Sequence, residues 1–197
     1  MNEQTVKQTD WLVLVNGEHR LPEGFEETVE LVWCENPAGE RFRIEKQTYE
    51  AFLRLKEDLL QNDGIDAALS NSYRTVEKQN EIYQRYTRDF GPDYAAKYAA
   101  RPGHSEHHTG LAIDMGIILD GKFHRSIRDL LSVDHLFRIV HKKLPHYGFL
   151  LRYPEGKEPI TKIGYEPWHF RYIHSPEIAK QITAQGLCLE EYLEKTE

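Results

Sequence analysis

RPGHSEHHTGLAIDMG, residues 101–116, passes from a polar, histidine-rich loop into an apolar run. From Gly110 to Leu119 the sequence GLAIDMGIIL reads as a β-strand with a single acid in it. Residues two apart on a strand share a face, so Ala112 and Asp114 point one way while Leu111 and Ile113 point into the opposite core. A carboxylate in an apolar strand is costly to bury unless it is paired or binds a metal. The small residues Gly110 and Ala112 are expected to keep that face open. His107, in the loop entering the strand, lies seven residues before Asp114. An imidazole and a carboxylate are thereby set to converge on one ion.

Two other stretches complete a constellation. YEPWHFRYI (165–173) supplies Glu166 and His169. Three residues apart on a regular strand they would face opposite sides, but Pro167 places Glu166 on the entering turn, from which both reach one site. His107, Asp114 and His169 then offer three ligands, with a carboxylate left over. Three protein ligands and an open position suit a catalytic zinc, whereas a structural zinc normally takes four. His104 or His108 would be the fourth ligand of a structural site, and a His2Asp set also suits other divalent ions. SNSYRTVEKQ (70–79) places Arg74 between a strand and a helix, where a fixed guanidinium can hold a carbonyl oxygen as it gains charge. A salt-bridge role is the plainer alternative for Arg74.

Outward from these motifs, the chain reads as one α+β domain over residues 11–197 behind a flexible stretch, 1–10. Short strands are expected at 11–15, 28–33 and 41–44, and a helix from about Lys46 to Leu60 that stops at Gly64. A strand at 67–73 runs into a helix capped by Thr75, and a Tyr/Ala-rich helix covers 93–100. After the strand at 110–119 comes a hairpin-type turn at Asp120-Gly121. A helix over 132–144 ending at Pro145, strands at 148–153 and 168–173, and C-terminal helical segments follow. Mixed helices and mostly antiparallel strands define the class.

Composition excludes several functions. With a net charge of −7 and no Lys/Arg block, the chain has no footprint for a phosphate backbone. No run of eighteen apolar residues encodes a membrane span. The opening MNEQTVKQTDWLVLV lacks the basic and apolar parts of a signal peptide, so a cytoplasmic location is expected. Cys34 and Cys188, far apart and outside any CxxC pair, read as buried free thiols. His19, His124, His135, His141, His146 and His174 read as surface or satisfied core residues. Trp168 and Phe170 read as core or pocket wall, and Tyr83, Phe90, Tyr94 and Tyr98 as helix-packing residues.

SYRT with Gln79, then PGHSEHHTGLAID, then EPWHFRYI resembles the VanY/VanXY-type D-alanyl-D-alanine carboxypeptidases and the related L,D-carboxypeptidases, in the wider group with lysostaphin-like peptidases and hedgehog domains. The family pattern SxHxxGxAxD falls on Ser105, His107, Gly110, Ala112 and Asp114, and its ExxH on Glu166 and His169. The resemblance runs from about residue 11 to the C-terminus, including an opening like LVNGEHRLP (14–22). It implies the hedgehog/D-Ala-D-Ala peptidase-like fold, mainly antiparallel sheet with flanking helices. It also implies Zn2+ on His107, Asp114 and His169, Glu166 as general base and Arg74 as stabiliser of the transition state. Ser105, Tyr73 and Gln79 would contact the substrate's terminal D-residue. Partners implied are peptidoglycan stem peptides or the D-Ala-D-Ala dipeptide. Removal of D-alanine by D,D-cleavage is the first reading, L,D-trimming of tetrapeptides the second, and a non-catalytic zinc-containing binding module the third. Relatives commonly carry Gln where this chain has His108; only His107 keeps the seven-residue step to Asp114.

Overall fold

A computed structural model describes residues 8–196; the stretch 1–7, within the expected flexible N-terminus, lies outside the described residues. Two short strands come first, β1 (Leu31–Glu35) and β2 (Arg41–Glu45), paired antiparallel as a separate hairpin. Helix α1 (Lys46–Asp63) follows directly. Glu45 caps its N-terminus by accepting from the backbone N–H groups of Gln47 and Thr48, and Gly64 ends it in the left-handed conformation at φ 68°. Strand β3 (Asp66–Asn71) then leads through Thr75, whose hydroxyl accepts from Lys78 N–H, into α2 (Val76–Phe90). Helix α3 (Pro92–Tyr98) packs back on α2 through Tyr86, Phe90, Tyr94 and Tyr98.

The central strand is β4 (Ala112–Leu119), which turns at Asp120-Gly121 into β5 (Lys122–His124). Helices α4 (Ile127–Ser132) and α5 (Asp134–Lys143), strand β6 (Phe149–Leu151), the short α6 (Glu158–Thr161), strand β7 (His169–Tyr172), α7 (Pro176–Ala184) and α8 (Leu189–Thr196) complete the chain. The main sheet runs β3-β4-β7-β6, with β5 beside the C-terminal half of β4, and every pairing is antiparallel. Ile113, Met115 and Ile117 enter the main core with Phe52, Leu55 and Leu59 of α1 and Phe137 and Val140 of α5. Asp114, on the other face, borders a cavity that α2 and α3 help to enclose. Strand alternation thus separates core from site.

Three expectations need correction. Residues 11–15 form no strand, although Val13 and Val15 are buried. The carbonyls of Trp11 and Val13 instead accept from the buried Arg171 guanidinium, at 3.1 and 2.9 Å, so a side chain meets their bonding needs in place of a neighbouring strand. The helix expected at 132–144 is two helices: α4 starts earlier, at the Ser126 cap, Val133 interrupts with φ −112° and ψ 20°, and α5 starts at Asp134. Gly110 does not keep the site open. It closes a 3-10 turn, Glu106–Thr109, at φ +74°, and a Cβ there would sit 2.7 Å from Leu31 Cδ2.

Cys34 and Cys188 are buried free thiols, and burial pushes each up to about 11. No helix among the described residues is long and apolar enough to cross a membrane.

Candidate metal centre and active site

Asp114 on β4 and His169 on β7 stand directly opposite each other in register. His169 Nδ1 lies 3.1 Å from Asp114 Oδ1. His107 arrives from the 3-10 turn before β4, its Nε2 3.3 Å from Asp114 Oδ2. The two imidazoles meet edge to face, centroids 4.9 Å apart at 87°. One donor atom from each of His107, Asp114 and His169 falls within 4.8 Å of the other two, a spacing that can close around a single cation.

The remaining ring nitrogens decide which atoms face that point. His107 Nδ1 lies 2.7 Å from Ser72 O. A carbonyl only accepts, so Nδ1 carries the proton and Nε2 presents a lone pair. Burial holds the His107 pKa down at about 4, in keeping with a neutral ligand. His169 turns Nδ1 towards Asp114 and Nε2 towards Glu106 Oε2, 3.6 Å away. That separation is too long for a hydrogen bond but within ion-pair reach, and both atoms are buried without a hydrogen-bond partner among the described residues. Burial lowers the His169 pKa, yet the flanking Asp114 and Glu106 carboxylates outweigh it and raise the value to about 9. A divalent cation would replace the proton on Nδ1 and leave Nε2–H aimed at Glu106, the orientation carboxylates impose on metal-binding histidines.

Glu106 is a site residue that sequence reading missed. It is buried in the SEHH turn, and its Oε1 accepts from Arg152 Nε at 2.7 Å and Arg171 Nη1 at 2.8 Å. Although burial opposes ionisation, the two guanidiniums hold its pKa well below the usual carboxylate range. Arg152 also binds Glu190 of α8 with two parallel bonds of 2.7 and 2.8 Å, and Asn16 donates to the same carboxylate. A closed charge network therefore lies behind His169.

Glu166 lies in front. Its carbonyl accepts from His169 N–H at 3.3 Å, closing a turn over Glu166-Pro167-Trp168-His169 with proline in its favoured second position. His141 Nε2 donates to the Pro167 carbonyl at 2.8 Å and pins that turn from the core. The Glu166 carboxylate sits 3.8 Å from His169 Nδ1 on the cavity side. Burial raises its pKa to about 7, Asp114 adding to the rise and His169 and Arg74 opposing it. Arg74 Nη2 is 3.9 Å from Asp114 Oδ2, and Nη1 donates to Gln79 Oε1 at 2.7 Å.

The expected substrate contacts part company. Ser105 is buried in the cavity wall. Gln79 has both ends in use: its oxygen holds Arg74 and its nitrogen donates to Ala100 O at 2.7 Å, so it positions the guanidinium. Tyr73 faces an adjoining groove, its ring 4.6 Å from the Arg43 guanidinium, rather than the cavity around the three-donor cluster. Neither spare histidine belongs to the three-donor cluster. His108 Nδ1 donates to Arg74 O at 2.7 Å while Nε2 accepts from Gly103 N–H at 3.1 Å. His104 Nδ1 is bound to Asn16 O. The cavity itself is about 290 Å³, bordered by His107, Asp114, His169, Glu166, Arg74, Tyr153, Trp168 and residues of α2 and α3.

This geometry agrees with what the chain is similar to. A family model described as VanY: D-alanyl-D-alanine carboxypeptidase matches residues 41–175. The bifunctional D-Ala-D-Ala dipeptidase and D-Ala-D-Ala carboxypeptidase VanXYC of Enterococcus gallinarum is 40% identical over 141 residues, covering 69% of this chain and 72% of the relative. The crystal structure of a mutant vancomycin-resistance D,D-pentapeptidase VanY, in complex with Zn(II), superposes with a TM-score of 0.75 at 32% identity, covering 93% of this chain and 99% of that one. The LdcB LD-carboxypeptidase superposes with a TM-score of 0.79 at 34% identity, covering 94% and 86%.

Proposed function

Because the chain belongs to the VanY family of D-alanyl-D-alanine carboxypeptidases, we propose that it binds zinc through His107, Asp114 and His169 and releases C-terminal D-alanine from peptidoglycan stem peptides. One observation carries this reading: a largely enclosed carboxylate with a pKa near neutrality, Glu166, borders the same cavity as a three-donor cluster that has no fourth protein ligand among the described residues. When bound, a zinc ion supplies Lewis acidity, lowering the pKa of a water towards neutrality and polarising a carbonyl oxygen.

The chain's own residues do the rest. Glu166 accepts the proton of the attacking water and returns it to the amine of the departing residue as the peptide bond breaks. Arg74, oriented by Gln79, stands where negative charge grows on the carbonyl oxygen. Tyr153 and Trp168 narrow the cavity around the reacting group. The likeness to LdcB supports a second specificity, L,D-cleavage of tetrapeptide stems.

Zinc-loaded protein is incubated with D-Ala-D-Ala, a stem pentapeptide and a stem tetrapeptide, and freed D-alanine is measured. D-Alanine from the pentapeptide is expected. Glu166→Ala is expected to lower turnover about 10²–10⁴-fold while zinc stays bound. Undiminished release by that variant would remove Glu166 from the mechanism.

A further inference from the structure

A second cavity, about 540 Å³, opens beside the first and shares Ser70, Asn71, Arg74, Ile82 and Asp114 with it. It runs between the β1–β2 hairpin and the start of α2. Trp33 and Arg43, direct partners in the hairpin register, lie along it with Arg41, two residues away on the same strand face. Trp33 is 62% exposed, more than any other large apolar side chain among the described residues. The Arg41 guanidinium lies over its ring at 5.2 Å, and that of Arg43 lies 4.6 Å from the Tyr73 ring.

The other charges along the groove are committed. Glu40 is held by Arg125 and Asn36, and Lys78 by Glu81. Arg41 and Arg43 make no ion pair among the described residues, in a chain whose net charge is −7. Two uncommitted guanidiniums over aromatic faces form a surface suited to a carboxylate carried on a partly apolar chain.

A carboxypeptidase needs an enclosed space for only one residue beyond the cut, and the smaller cavity supplies it. The rest of the substrate has to leave by an open side. We propose that the groove lined by Trp33, Arg41 and Arg43 holds the peptide upstream of the scissile bond and reads a free carboxylate on it, such as the α-carboxylate of a γ-linked D-glutamate. The proposal rests on the carboxypeptidase reading and adds to it a preference for acidic stems.

The test compares three substrates on the zinc-loaded protein: L-Ala-γ-D-Glu-L-Lys-D-Ala-D-Ala, the same peptide with the glutamate α-carboxylate amidated, and diacetyl-L-Lys-D-Ala-D-Ala. The acidic pentapeptide is expected to exceed its amide about 10-fold in kcat/KM, mainly through KM, a factor within reach of one charge-assisted contact. Arg43→Gln should erase that preference and Trp33→Ala should raise KM for both pentapeptides, while the diacetyl tripeptide changes less than about twofold. Equal losses on all three substrates, or no acid preference in the unaltered protein, would overturn the proposal. Calorimetric binding of L-Ala-γ-D-Glu-L-Lys separates the two readings. Binding that Arg43→Gln weakens, from a protein that frees no D-alanine, leaves the groove standing and removes the carboxypeptidase. Binding that is absent, or indifferent to that change, removes the groove.

Discussion

Two glutamates flank His169, Glu106 fully buried and Glu166 with 13% of its side chain exposed, and their environments drive them apart. Glu106, behind the ring, touches two guanidiniums and stays ionised far below the usual carboxylate range. Glu166, in front, has His169 at 3.8 Å and no arginine among the described residues bonded to it, and its pKa rises to about 7. One residue type thereby yields a permanent anion behind the His169 ring and, in front of it, a carboxyl group poised near neutral pH. Burial raises the cost of charge in both; the presence or absence of arginine decides which charge persists.

Breaking the rear half should cost most. Glu106→Ala leaves Arg152 and Arg171 facing each other with one carboxylate fewer, and loss of one partner from a buried charge group typically costs about 3–5 kcal/mol. Urea unfolding should show that loss; a change within about 0.5 kcal/mol would mean the network is not what holds this region.

Removing charge from the front half should do the opposite. In the metal-free protein, the folded-state pKa of Glu166 lies above its ordinary 4.5, so its carboxylate weakens the fold as pH rises through about 7 and costs nothing below about 4.5. Glu166→Gln should therefore stabilise the chelator-treated protein by about 3 kcal/mol at pH 8 and by close to nothing at pH 4, read from urea midpoints at each pH. A gain equal at both would contradict the buried-charge account.

The smallest effect sharpens the division of labour. Glu106→Gln keeps the shape but removes the negative charge behind His169, and zinc affinity measured by chelator competition should fall about 10–100-fold. Glu166→Gln, tested the same way, should hold zinc at least as well as that variant. Reversal of this order would exchange the two glutamates' roles.

The front of the site was legible because its residues sit in short motifs where strand period and a proline turn determine direction. His107, Asp114, Glu166 and His169 lie within two such motifs. The rear was not legible. Glu106 reaches Arg152 and Arg171 across 46 and 65 residues, and Arg152 reaches Glu190 across 38. A charged residue destined for the interior looks, in sequence, like one destined for water, and only the fold brings its partner. Residues 11–15 misled for the same reason: WLVLV has the composition of a strand, yet its carbonyls are claimed by Arg171, 158 and 160 positions away. Gln79 and Tyr73 share a motif with Arg74, but motif membership does not say which side chains face the cavity and which brace those that do.

The network behind His169 also determines how this protein can be cut and joined. Arg171 is tied to the backbone at Trp11 and Val13, and Arg152 to Glu190 in α8, while Asn16 bonds the same glutamate. Segments remote from the three-donor cluster thus act as guy-ropes on the carboxylate behind His169. Trimming residues 189–196, or threading a fusion partner through residues 11–16, amounts to a mutation of the active site made from the outside.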